Sequence, residues 1–340
     1  MDKIKVGVNG YGVIGKRVAD AVRLQKDMRL VGIAKMRADW SARLVIEKGI
    51  KLFAAIPEAK EEFHATGLRA EGDVSDLLQE VDVIVDCSPK KRGIENKALY
   101  DKYRKNAIFE GGEKPDIAEI SFNASCNFDK AVGKKRIRVV SCNTTGLCRS
   151  INVVNDICGV KIAHADIIRR SVDPHDCKTG PINAIIPTPT TIPSHHGLDI
   201  KTVLPELNVI TSMFTVPTTL MHVHSIMVET KSKVKVQDVL DGFASERRIR
   251  YVTAKDGVIS TSQIMEMSRD KGNVRGDLYD ICIWKESVSA IDANHLCYLQ
   301  AIHQEAIVIP ENIDAIRAMF NLCDKETSMG KTDKSLGVRM

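Results

Sequence analysis

The sequence predicts an α/β protein of two domains: an N-terminal parallel sheet wound by helices, then an α+β domain whose sheet is largely antiparallel. Three observations predict it. A strand, a glycine-rich turn, a helix and a second strand follow one another within about 30 residues, the opening of a parallel βαβ sheet. Past residue 158 the pattern changes to β-like segments and long loops. The 340 residues of the chain suit two domains of roughly 150 residues each.

Taken in order, Ile4-Lys5-Val6-Gly7-Val8 reads as the first strand, and Ile14, Val18, Ala21 and Val22 recur behind it at helical spacing. Residues 30–34 are a second short apolar run. Residues 81–86 are a buried strand ending at Cys87-Ser88-Pro89, and a helical stretch after Ile94 leads to Ala107-Ile108-Phe109 and Glu110-Gly111-Gly112. A further strand, 137–140, runs into Ser141-Cys142, which places the first domain at residues 1–140. The second domain, 141–303, carries β-like segments at 162–168, 209–228 and 281–291. Between them lies a Pro-, Thr- and His-containing loop, 171–197, and loops of that length are usually functional. Residues 311–322 read as an amphipathic helix entered through Pro310, so 304–340 is expected to pack back on the first domain.

Apolar residues make up 44% of the chain and charged residues 27%, an ordinary balance for a folded soluble protein. The formal charge of +5 is spread out, with no basic block of the kind that grips nucleic acid. No apolar run is long enough to span a bilayer, and the N-terminus runs straight into a strand, so no targeting peptide is read. The nine cysteines (87, 126, 142, 148, 158, 177, 282, 297, 323) include no C-x-x-C pair. They are expected to be free thiols in a reducing cytoplasm, most of them buried as small hydrophobes.

Gly10-Tyr11-Gly12-Val13-Ile14-Gly15 satisfies G-x-G-x-x-G between a strand and a helix. In that context each glycine has a purpose: the tight turn, close approach to a pyrophosphate, and helix–strand packing. The helix start then offers N–H groups and partial positive charge to the anion. The first domain is therefore expected to be a Rossmann dinucleotide-binding domain. Its second strand ends in Ala34-Lys35-Met36-Arg37, with no acid before Asp39 to hold a ribose 2′-hydroxyl. Lys35 and Arg37 would instead attract a 2′-phosphate, which points to NADP with NAD also accepted.

Cys142 differs from the other cysteines in following a strand and preceding Asn143-Thr144-Thr145-Gly146, which reads as the first turn of a helix. There the helix dipole and free N–H groups favour the thiolate, and the same N–H groups suit an oxyanion formed on attack at a carbonyl. Cys148 reads as a helical core or interface residue. A base is also required, and the chain offers two histidine pairs. His195-His196 lies in the long loop, within Pro193–Gly197. His222 and His224 alternate on a strand, which puts both imidazoles on one face. An H-x-H strand is also a metal-ligand pattern, but no Cys or carboxylate stands as a third ligand, and no metal site is assigned. Arg169-Arg170, closing the strand from residue 162, has guanidinium forks suited to phosphate or cofactor.

Together these pieces resemble the archaeal-type phosphorylating glyceraldehyde-3-phosphate dehydrogenases. The likeness runs through NGYGVIGKRVADA near the start, EGGEK at 110–114, SCNTTGLCR at 141–149 and DP–KTGPINAI across 173–185. It continues with PSHHG at 193–197, VPTTLMHVH at 216–224 and HQEAIVIPENIDAIRAM at 303–319. The resemblance implies Cys142 as nucleophile and His222 as base, with Ser141, Cys142, Asn143, His195, His196 and Gly197 around the substrate. It implies cofactor contacts from Val13, Ile14, Gly112, Arg170 and Gln304, beside Gly10, Gly12, Gly15 and Lys35 of the turn and second strand. It also implies glyceraldehyde 3-phosphate and inorganic phosphate as small-molecule partners, and a homotetramer. The residue after the nucleophile is Asn143, not the Thr of the bacterial and eukaryotic branch, so that branch's phosphate sites are not carried over. A related semialdehyde dehydrogenase, such as aspartate-semialdehyde dehydrogenase, shares the Rossmann opening, the Cys, the His and the acyl-phosphate logic. A non-catalytic NADP-binding sensor with Cys142 as redox switch is the reading from another class; it has no need of His222 and Arg170.

Overall fold

Six strand pairings, all parallel, build the first sheet of the computed structural model, which describes residues 2–89, 92–110, 112–172 and 180–338. Its strands are β1 (Ile4–Asn9), β2 (Met28–Lys35), β3 (Lys51–Ala54), β4 (Val83–Asp86), β5 (Asn106–Phe109), β6 (Ile120–Phe122) and β7 (Arg136–Val139). They lie in the order β3-β2-β1-β4-β5-β7-β6. The chain leaves β1 to one side through β2 and β3, then returns to β4 on the other side. The crevice beyond the carboxyl ends of β1 and β4 is thus a topological switch point, where open α/β sheets hold their ligands. Most residues of β1, β2, β4 and β5 are buried, as both-face-covered parallel strands require.

The chain divides into two compact units, 1–141 with 309–337 and 142–308 with 338–340. Two C-terminal helices belong to the first. In one of them the expectation needs correcting. Residues 311–322 read as amphipathic, but all eleven residues of the observed Ile309–Met319 helix are buried, including Glu311, Asn312, Asp314 and Arg317. The polar face is buried because it is paired. Glu311 accepts from the Ala124 N–H, Asp314 accepts from Ser328 and Thr332, and Arg317 donates to Asp27 and Gln25. The second helix, Lys325–Leu336, has no strong apolar periodicity in sequence. It buries Ser328, Met329, Thr332, Asp333 and Leu336 and is capped by the Asp324 side chain.

The second unit carries β8 (Val160–Arg170), β9 (Ile186–Pro187), β10 (Val209–Val216), β11 (His222–Thr230), β12 (Ile249–Val252), β13 (Ile281–Trp284), β14 (Ser289–Ala290) and β15 (His295–Ile302). The order is β12-β13-β15-β11-β8-β10-β9, with β14 on β15. Five of the seven pairings are antiparallel; β12–β13 and β10–β8 are parallel. Burial alternates along β10 and β11, so one face is covered and the other open. The Cys142–Cys158 helix packs on the covered face of β11 and β15. Cys148 lies buried in it, and among the described residues every cysteine is a free thiol. Cys177 and the start of the DP–KTG motif lie outside the described residues.

Candidate active site

In the first unit the three glycines of the turn meet three separate demands. Gly10 has φ +102°, and a Cβ there would lie 2.5 Å from the Cys87 carbonyl oxygen, so the turn is both left-handed and pressed against the loop after β4. A Cβ on Gly15 would sit 1.9 Å from the Gly10 carbonyl, which only a glycine permits. At Gly12 a Cβ would meet nothing within 4 Å. No internal packing therefore explains that glycine, while close approach of a pyrophosphate does. Gly12 is the N-cap of the Val13–Arg23 helix and offers no capping side chain, and no acid stands in the first turn. The N–H groups of the opening turn, where Val13 and Ile14 lie, are the donors such an anion uses. Gly112 is an exposed turn residue beyond β5.

The end of β2 differs from its sequence reading. In sequence Lys35 reads as a cation suited to a 2′-phosphate, with no acid before Asp39. The structure buries Lys35 and brings Asp39 back to it, Nζ to Oδ2 at 2.8 Å. The other carboxylate oxygen accepts from the N–H groups of Ser41 and Ala42 and caps the Trp40–Glu47 helix. Arg37 is exposed.

The chemistry-bearing residues of the second unit converge. The strand-to-helix turn places Cys142, half-buried, as the first residue of the Cys142–Cys158 helix, with Ser141 just before it. Asn143 follows, buried, and its side chain is the hub. Its Oδ1 lies 2.7 Å from His222 Nδ1 and 3.0 Å from His224 Nε2, and its Nδ2 lies 3.3 Å from His196 Nε2. Both strand histidines are buried on one face of β11, as the alternation requires. They share one amide oxygen, Asn143 Oδ1. Among the described residues no group of three or more His, Cys, Asp or Glu is arranged to hold an ion.

The two imidazoles differ in what is left over. Both His224 nitrogens are engaged, Nε2 with Asn143 and Nδ1 with Gln300 Nε2 at 2.9 Å. His222 Nε2 is buried with no hydrogen-bond partner among the described residues. Burial holds the His222 pKa well below that of ordinary histidine, and the guanidinium charges of Arg170 and Arg169 add to it. Burial alone pushes His224 down to about 3. Both rings are neutral at pH 7, and only His222 has a free nitrogen.

His195 and His196 do not lie in a loop. They open a short helix, His195–Lys201, in which His195 is exposed with its ring 4.0 Å from that of His196, and His196 is buried. The helix is held by Thr144, which donates to Asp199 at 2.8 Å, and by Gly197, whose N–H donates to Thr211 Oγ1 at 3.1 Å. A Cβ on Gly197 would fall 2.3 Å from the Val209 carbonyl, so helix and β10 touch backbone to backbone there. Arg170 ends β8. Gln304 is buried, donates weakly to the Thr219 carbonyl at 3.4 Å, and keeps an Oε1 with no partner among the described residues. That orphaned acceptor suits an amide donor such as a carboxamide. Sequence reasoning gave no role to Thr144, although it lies within the 141–149 motif, and missed Gln300, Asp199 and Thr211, none of which falls in one of the motifs read.

Comparison with known proteins finds likeness along nearly the whole chain. The family profile described as "Glyceraldehyde 3-phosphate dehydrogenase, C-terminal domain" matches residues 141–300. The chain is 51% identical over 339 residues to the glyceraldehyde-3-phosphate dehydrogenase of Archaeoglobus fulgidus, covering 99% of both. It is 50% identical over 336 residues to the enzyme of that name from Thermococcus kodakarensis, again covering 99% of both. To that of Methanobacterium bryantii it is 47% identical over 335 residues, 98% of this chain and 99% of the relative.

Proposed function

The chain belongs to the glyceraldehyde-3-phosphate dehydrogenases, and from that premise we propose that it performs the phosphorylating oxidation of D-glyceraldehyde 3-phosphate to 1,3-bisphosphoglycerate. Cys142 acts as nucleophile and His222 as base. The observation that carries the assignment is the Asn143 hub, which ties the residue beside Cys142 to the one histidine of the pair with a free nitrogen. The Cys142 thiolate adds to the aldehyde carbon, a C–S bond forms, the carbonyl electron pair moves to oxygen, and that oxygen takes up a proton from solvent to give a thiohemiacetal. The N–H groups of the helix start would hold that oxygen. His222 Nε2 then takes the hydroxyl proton as hydride leaves the carbon, and a thioester remains on Cys142. A bound nicotinamide supplies the hydride acceptor. An oxygen of inorganic phosphate attacks the acyl carbon, the C–S bond breaks, and the thiolate is restored.

The family carries NAD(P). Gly10, Gly12, Val13, Ile14 and Gly15 would hold its pyrophosphate, and Gly112, Arg170 and Gln304 contribute further contacts. Lys35 at the end of β2 favours NADP over NAD, with Asp39 moderating that preference. Ser141, Cys142, Asn143, His195, His196 and Gly197 surround the substrate. The enzyme works in the cytoplasm as a homotetramer, in glycolysis and gluconeogenesis.

The reaction is tested by withholding phosphate. Rapid mixing of enzyme, glyceraldehyde 3-phosphate and NADP should then give a burst of NADPH approaching one per active site and a slow steady state. Phosphate or arsenate should restore turnover, and denaturation after the burst should leave the acyl group on Cys142. Cys142→Ser should abolish the burst and keep cofactor affinity. A steady-state rate indifferent to phosphate would mean hydrolytic deacylation and would sink the phosphorylating reaction.

A further inference from the structure

We infer that Gln300, His224 and Asn143 form a one-way hydrogen-bond relay that holds His222 in its Nδ1–H tautomer and leaves the Nε2 lone pair for the reacting centre. The inference rests on the reading of His222 as base and says what orients it. Neutral imidazole has one donor nitrogen and one acceptor nitrogen, while an amide oxygen only accepts. Two rings meet Asn143 Oδ1, at 2.7 and 3.0 Å, so each must present an N–H to it. That fixes the proton of His222 on Nδ1 and that of His224 on Nε2. The other His224 nitrogen, Nδ1, is then bare and must accept, and Gln300 Nε2 at 2.9 Å is the donor that meets it. Donation therefore runs from Gln300 to His224 to Asn143. Asn143 Nδ2 in turn donates to His196 Nε2.

With both amides turned around, the chain would run backwards, and His222 would carry its proton on Nε2 and accept at Nδ1. It could not then take a proton at the nitrogen that has no partner. Burial favours the first direction. As placed, Gln300 leaves one acceptor, Oε1, unsatisfied. Turned around, it would bury an NH2 group with two donors to satisfy. The relay is also fixed mechanically. His224 and Gln300 are opposite one another in the β11–β15 ladder, and β11 is an interior strand. On the other side the nucleophile's helix comes so close that a Cβ on Gly146 would lie 2.9 Å from Ile302 Cγ2, 3.5 Å from His224 Cε1 and 3.6 Å from Gln300 Nε2. Asn143, His224 and Gln300 are positioning residues: they set which nitrogen of His222 is basic.

The test uses the full-length enzyme labelled with 15N-histidine. Nitrogen–proton correlation spectra at neutral pH should show His222 protonated on Nδ1 and His224 on Nε2, with His222 assigned by the loss of its signals in His222→Gln. Gln300→Met removes the donor and keeps the bulk. It should free the His224 tautomer, mix that of His222 and lower kcat roughly 3- to 10-fold, the worth of one neutral hydrogen bond, with KM little changed. His224→Leu should lose more, and His224→Gln, which can still offer an N–H to Asn143, should recover part of the loss. Thermal melts identify any variant that has simply failed to fold. An Nε2–H tautomer of His222 in the wild-type enzyme overturns the relay. So does a folded Gln300→Met with unchanged spectrum and kcat. Full activity in His222→Gln would instead remove the base assignment, and the wild-type spectrum would still decide the direction of the hydrogen bonds.

Discussion

His222 serves as a base only while it is neutral, and its surroundings keep it so far into the acid range. The groups that face it are Arg169 and Arg170 from β8, His224 from its own strand and His196 from the short helix. The two guanidinium charges oppose a third positive charge, and burial opposes any charge at all. A lowered pKa in a base extends activity downward in pH, and activity is lost only as pH falls through that lowered value. The acid limb of kcat/KM, which reports the free enzyme, should therefore lie below the ordinary histidine value of about 6.5. The limb of kcat, which reports the enzyme–substrate complex, should lie at higher pH, because the anionic substrate offsets part of the arginine field. A kcat/KM limb at or above pH 6.5 would contradict this electrostatic account. At this scale the sequence showed a good deal. Cys142 stood out because strand, thiol and helix start are contiguous. The difference between His222 and His224 was invisible, because strand alternation treats them alike. They differ only in which nitrogens are occupied, and those partners lie 76 to 81 positions away in the chain.

At the scale of elements, local signals and long-range packing parted company. The G-x-G-x-x-G turn was legible because two of its constraints are local, the positive φ of Gly10 and the approach of Gly15 to the Gly10 carbonyl; the press of Gly10 against the Cys87 carbonyl is not. His195-His196 read as loop because Pro, Thr and Gly surround them, yet Thr144–Asp199 and Gly197–Thr211 bonds stabilise a helical turn there. β15 went unread although it lies between β11 and β13 in the sheet. The Ile309–Met319 helix shows only its apolar spacing in sequence, and the partners that let its charges be buried come from distant segments. The end of β2 carries a prediction. Lys35 is shared between its strand and the helix cap, since Asp39 binds it with one oxygen and the helix N–H groups with the other. Asp39→Asn keeps a capping oxygen and removes the charge that competes with a 2′-phosphate for Lys35. NADP affinity should rise relative to NAD. Lys35→Ala should weaken NADP selectively by roughly ten- to a hundredfold, the range for a charge-assisted contact of ~1.5–3 kcal/mol. Equal changes in both dissociation constants, measured by fluorescence titration, would show that Lys35 does not read the 2′-phosphate.

For the molecule as a whole, composition excluded more than it identified, and the order of the motifs carried the family. The homotetramer was implied by that family likeness alone, but the second unit offers a physical reason for assembly. Within one stretch it exposes Ile182 at 84%, Ile185 at 68%, Ile192 at 67% and Leu198 at 64% of their full areas. Scattered exposed hydrophobes are ordinary, but a run of them in one segment is the usual mark of a surface that is covered by a partner. Full burial of each such side chain is worth about 1.5–3 kcal/mol, a gain that a symmetric assembly would repeat at every subunit. Sedimentation velocity of the wild type should then give a single species of four chains. Ile182→Asp with Ile192→Asp places charge where that contact would be dry, while in the single chain both sites face water. The double variant should fall to smaller species with its circular dichroism intact. A wild-type monomer at micromolar concentration would overturn the assembly itself. An undisturbed tetramer in the double variant would move the interface away from this stretch.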